Sequence, residues 1–116
     1  MADLPIAHYT MHLLRDVGEE RARQIAKWGL QDHPDAPASV RAPNAYFGIP
    51  TEQSAKLQTD DAFRRGLGSF GHILLEEVAE AYGAIGHDAA LRAELVQVAA
   101  VAIAWCEAID RRKVEA

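Results

Sequence analysis

The sequence predicts an all-α fold, and three observations predict it. Apolar residues recur at three- and four-residue spacing over long proline-free stretches, helical stretches are bounded by capping residues and glycines, and no stretch alternates with period two long enough to make a strand. A chain of 116 residues reads as one domain, 1–116, large enough to bury roughly two thirds of its unfolded surface. With 49% hydrophobic and 25% charged residues, the composition is that of a globular protein and excludes disordered and collagen-like classes. The formal charge of -5 has the wrong sign for neutralising a phosphate backbone, so nucleic acid is not an expected partner.

The first helix is expected over Thr10 to Gln31, where Glu19, Glu20, Arg21, Arg23 and Lys27 alternate with apolar residues and Gly29 stands near the end. From 32 to 50 the chain turns proline-rich, with Pro34, Pro37, Pro43 and Pro50, each removing a donor and biasing the preceding residue away from helix. Loops of this length serve as lids or binding loops, or are disordered, and the sequence leaves that choice open. Thr51 caps a second helix to about Arg65, with a thin apolar stripe, and Gly66 and Gly68 break it. Ser69 caps a third helix from Phe70 to about Ile85, closed by Gly86, and Asp88 caps a fourth from Ala89 to about Arg112. The expected architecture is a four-helix bundle ending in an antiparallel helical hairpin.

The sole cysteine, Cys106, excludes an intrachain disulfide and a cysteine-based zinc site, and it reads as a small buried apolar residue. The beginning of the chain, with Asp3 and Pro5, lacks the basic-then-apolar pattern of a secretory signal. The most apolar run, Val98 to Cys106, falls short of half the roughly 20 residues that a membrane span needs. A cytoplasmic protein with no membrane partner is expected.

Chemistry concentrates on the last two helices. Glu76, Glu77 and Glu80 fall within one arc of the third helix. On the fourth, Glu94 and Gln97 share a face with Val98, Val101, Ala104, Trp105 and Ala108, and that face points inward. Val96, Ala99 and Ile103 make the opposite side apolar too, so the helix belongs in a core or between subunits. A carboxylate there needs a partner, for which Arg92 and Lys27 are candidates. The connection from Gly83 to Asp88 makes the two helices antiparallel neighbours, in which facing residues keep a constant index sum. The pairs Glu80 with Glu94 and Glu77 with Gln97 share one such sum, placing three acids and an amide at matching levels. Carboxylates converging from helices are how bundles hold hard divalent cations, Mg²⁺ among them.

Leu74-Leu75-Glu76-Glu77-Val78-Ala79-Glu80, followed by Glu94-Leu95-Val96-Gln97, resembles the two-part signature of the MazG-like, all-α nucleoside triphosphate pyrophosphohydrolase superfamily. That signature is E-E-x-x-E and then E-x-x-D; the first half matches fully, and the second has Gln97 in place of aspartate. Lys27-Trp28-Gly29-Leu30-Gln31-Asp32-His33-Pro34 resembles a bacterial subgroup, and the proline-rich loop is unmatched. The resemblance implies cleavage of a nucleoside triphosphate between the α and β phosphorus atoms, giving monophosphate and pyrophosphate, often as nucleotide housecleaning. It implies Glu77, Glu80 and Glu94 as ligands of Mg²⁺, with Mn²⁺ as alternative, Glu76 as the group that orients or deprotonates water, and a homodimer or homotetramer. Gln97 offers an amide oxygen that ligates Mg²⁺ without adding charge.

Arg23 and Lys27, one helical turn apart, read as surface charges or as contacts to phosphate oxygens. Trp28 reads as core or as a surface for stacking on a base, and Trp105 as core. Gln31 and His33 read as a polar helix end or as ligand contacts. His8 and His12 have the spacing of a metal pair but lack a third ligand, and His72 lies one turn before Glu76. Two rivals stand beside the enzyme: a non-catalytic nucleotide- or metal-binding module of the same fold, and a structural helical adaptor with Glu94 in solvent.

Overall fold

The computed structural model describes residues 7–115, with side chains through Arg112; Asp3 and Pro5, which bear on the secretory signal, lie outside them. The fold of the described residues is all-α, with five helices: α1 (His8–Trp28), α2 (Pro43–Tyr46), α3 (Glu52–Arg64), α4 (Phe70–Gly83) and α5 (Asp88–Glu115). The helix beyond the expected four is α2, one turn within the proline-rich loop. Pro43 sits in its first turn, where a missing N–H costs nothing.

Helix ends follow local chemistry. The first helix stops at Trp28 rather than Gln31, because Gly29 takes φ 73° and its N–H closes on the Ile25 carbonyl at 2.8 Å. Thr51 Oγ1 accepts from the Ser54 N–H at 3.2 Å, and Ser69 Oγ accepts from the His72 N–H at 3.3 Å, capping α3 and α4 as expected. Asp88 lies inside the first turn of α5 instead of capping it, and the Leu91 N–H bonds the His87 carbonyl at 2.8 Å.

The chain divides into two compact units, Met1–His33 with Ile103–Ala116, and Pro34–Ala102. In the first, the Thr10 hydroxyl donates to the Glu107 carboxylate, which lies 4.0 Å from Arg111. No residue of α1 is buried, and Met11, Leu14, Val17 and Ile25 are exposed. Two core expectations are corrected here: Trp28 is 57% exposed, and Cys106 is exposed. Both lie on helices that leave much apolar surface exposed among the described residues, Leu14, Val17, Leu95 and Val96 included. Trp105 is half-buried. By length and composition Asp88–Arg112 is apolar enough to cross a membrane, although the run Val98 to Cys106 alone is too short, and none of that helix is buried.

In the second unit, α3 and α4 approach closest, and α2 also packs on α4. Small residues permit it: the buried apolar side chains are all alanine, namely Ala55, Ala62, Ala79 and Ala81. Buried Thr59 donates to the His72 carbonyl at 3.1 Å. A β-carbon at Gly83 would run into the Glu52 side chain, so glycine there lets Glu52 lie against α4. Buried Asn44 spends both amide hydrogens on carbonyls, that of Pro50 at 2.8 Å and that of Ala79 at 2.9 Å. The end of the proline-rich loop is thereby pinned to α4, beside Glu80. Phe47 meets Tyr82 edge to face, with centroids 5.1 Å apart.

Candidate metal centre

Ala79 and Ala81 are buried, while Glu76, Glu77 and Glu80 are half-buried on the same helix, α4. Glu94 comes from the second turn of α5 and is half-buried too, so it is not the solvent-exposed acid that a pure surface stripe requires. One carboxylate oxygen from each of Glu77, Glu80 and Glu94 lies within 4.8 Å of the others. The trio thus joins α4 to the first turns of α5 through side-chain oxygens.

Electrostatics follow from that convergence. Burial pushes the Glu80 carboxyl up to about 7, helped by the charge of Glu77, a hydrogen bond with Glu94, and the charges of Glu94 and Glu76. Glu77 is raised as well, first by burial and then by the charges of Glu94 and Glu76, against a hydrogen bond from Glu80 that favours its ionised form. Glu80 therefore keeps its proton to a pH well above the usual carboxylate range. The Glu77 Oε2 atom is buried and has no hydrogen-bond partner, which is costly for a charged oxygen. Arg92 forms no ion pair among the described residues, so the partner of Glu94 on this face is the Glu80 carboxyl. The set fits a hard cation: it offers only oxygens, and one of them is buried without a donor.

The remaining candidates lie elsewhere. Gln97, one turn beyond Glu94, is exposed. On α1, Arg23 pairs with Glu20 at 2.9 Å, and the Lys27 ammonium stands 4.9 Å above the Trp28 ring. Gln31 Nε2 lies 3.4 Å from His33 Nε2. The His8 and His12 rings meet edge to face, with centroids 4.3 Å apart, and among the described residues no third ligand joins them. His72 Nδ1 sits 2.7 Å from Ser69 Oγ, at the start of α4.

Sequence reasoning missed two features. Asn44 bonds a carbonyl 35 residues away, a pairing with no local signature; only its place next to a helix-starting proline marks it. A cleft of about 200 Å³, lined by Asp35, Ala81, Tyr82, Ile85, Leu91 and Leu95, also escaped, because it joins residues from three separate segments. Ala81 lies one helical turn after Glu77, and Leu91 one turn before Glu94, so the cleft adjoins the acidic trio. No protein-family model, no curated protein and no solved structure matches this sequence.

Proposed function

We propose that the chain is an Mg²⁺-dependent nucleoside triphosphate pyrophosphohydrolase of the MazG-like kind, with Mn²⁺ as alternative ion. The observation that carries this reading is the approach of Glu77, Glu80 and Glu94 to within 4.8 Å around a buried carboxylate oxygen with no donor. The motif E-E-x-x-E at Glu76 to Glu80 supports it from the sequence. In this reading α4 and α5 form the antiparallel hairpin of a four-helix MazG-like bundle, and Glu77, Glu80 and Glu94, with the Gln97 amide, hold the cation. The bound cation supplies charge neutralisation on the phosphate oxygens.

Glu76 orients a water molecule toward the α-phosphorus and takes its proton as the water oxygen bonds to phosphorus. The bond from the α-phosphorus to the bridging oxygen breaks, and pyrophosphate leaves with that oxygen. Arg23, Lys27, Trp28 and Gln31 are the substrate-contact candidates of the α1 segment, Arg23 and Lys27 for phosphate oxygens. The reading includes a cytoplasmic homodimer or homotetramer, supported by the exposed apolar side chains of α1 and α5.

The test is a screen of nucleoside triphosphates with Mg²⁺ or Mn²⁺, reading pyrophosphate separately from orthophosphate. Pyrophosphate release that disappears in a folded Glu77→Gln variant supports the proposal, and orthophosphate alone refutes it. The exposed, uncharged Gln97 favours a second reading, a non-catalytic nucleotide- or metal-binding module, which predicts binding without release of either product.

A further inference from the structure

Resting on the reading of the acidic trio as the phosphate-handling end, we propose that the adjoining cleft is a base subsite selective for guanine, read by Asp35. Its walls are Ala81 and Tyr82 from α4, Ile85 from the turn after it, and Leu91 and Leu95 from α5, and Asp35 is its one acidic lining residue. Apolar walls with a single placed polar group suit a flat heterocycle, which loses water on both faces and retains hydrogen bonding at one edge. Tyr82 is fixed for that purpose by its edge-to-face packing against Phe47.

Asp35 supplies the selectivity. Among the described residues its carboxylate has no side-chain hydrogen bond or ion pair, and it lies on the loop whose far end Asn44 pins to α4. A carboxylate accepts two parallel N–H bonds. Guanine alone among the common bases presents two adjacent donors, N1–H and the 2-amino group. Adenine and cytosine set one amino donor beside a ring-nitrogen acceptor, which would face the second carboxylate oxygen, and uracil flanks its single N–H with carbonyls. Asp35 is exposed, so a base lacking one of the two donors loses one of the two bonds while water satisfies the freed carboxylate oxygen.

The experiment compares GTP with ITP, which differs only by the missing 2-amino group, in wild type and Asp35→Asn. Because water competes for an exposed carboxylate, kcat/KM for pyrophosphate release should favour GTP roughly 2- to 10-fold, and the ratio should collapse toward one in Asp35→Asn. Equal rates on GTP and ITP, or an unchanged ratio in the variant, overturn the proposal. Calorimetric binding of GMP and IMP in chelator tests the subsite without hydrolysis: tighter GMP binding, lost in Asp35→Asn, supports it, and equal or absent binding refutes it. If no triphosphate is cleaved while GMP is still preferred, the pyrophosphohydrolase reading fails and the guanine subsite stands.

Discussion

Binding of Mg²⁺ should tighten about tenfold between pH 6 and pH 8, since the proton on Glu80 competes with the cation. The Glu80 carboxyl is pushed up to about 7. The competing factor, one plus the ratio of protonated to ionised carboxyl, is then ~11 at pH 6, ~2 at pH 7 and ~1.1 at pH 8. Glu77, raised for related reasons, acts with the same sign, so tenfold is the smaller expectation. Binding at pH 6 should release ~0.9 proton per ion and at pH 8 only ~0.1, as linkage requires. Calorimetric titration with MgCl₂ at pH 6, 7 and 8, repeated in two buffers of different protonation enthalpy, reads both quantities. Stability without a divalent ion has a matching sign. Glu80 holds its proton more tightly folded than at the ordinary value of 4.5, so its contribution is full below that pH and is lost as pH rises through about 7. Equal affinity at pH 6 and pH 8, with no proton release, would refute the reasoning that Glu80 keeps a proton which the cation displaces.

Glu76→Gln should spare Mg²⁺ binding and slow turnover by roughly 10²- to 10⁴-fold, the usual worth of general acid–base catalysis, whereas Glu77→Gln should weaken the ion itself; equal loss of affinity in both variants contradicts the division of roles. Gln97→Asp adds a negative charge on the same face as Glu94, so the Mg²⁺ concentration for half-maximal activity should fall, and an unchanged value places Gln97 outside the coordination sphere. Asn44→Ala leaves the carbonyls of Pro50 and Ala79 without their donor and should cost about 1–3 kcal/mol in urea unfolding; wild-type stability in that variant would show the clamp to be dispensable. Light scattering should give at least twice the 12.7 kDa of one chain, and a monomeric mass speaks against the assembly.

Local signals in the sequence carry much of the fold. Thr51 and Ser69 cap helices through bonds to N–H groups three residues away, so their effect is readable without tertiary knowledge. The meeting of Glu80 with Glu94 is readable for a related reason: the helical period and a short connection constrain which side chains face each other. Burial is where local reasoning falls short. Trp28 and Cys106 carry the chemistry of core residues, yet both are exposed, because hydrophobicity says that a residue wants cover and not which chain provides it. Asn44 and Asp35 sit in a segment without periodicity, and their neighbours come from distant parts of the chain.

Alanine contributes a single methyl group, so an interior whose fully buried apolar side chains are Ala55, Ala62, Ala79 and Ala81, with larger ones such as Ile73, Leu74 and Val78 only half-buried, gains less from burial than one that fully covers leucine or phenylalanine. If copies associate through the leucine, valine and isoleucine surfaces of α1 and α5, most of the hydrophobic gain arrives at association, and folding becomes a matter of mass action. The midpoint of thermal unfolding then climbs with protein concentration, and dilution alone drives chains out of the native state. Supply of the chain would govern the fraction folded, coupling abundance to function through a threshold instead of a proportion.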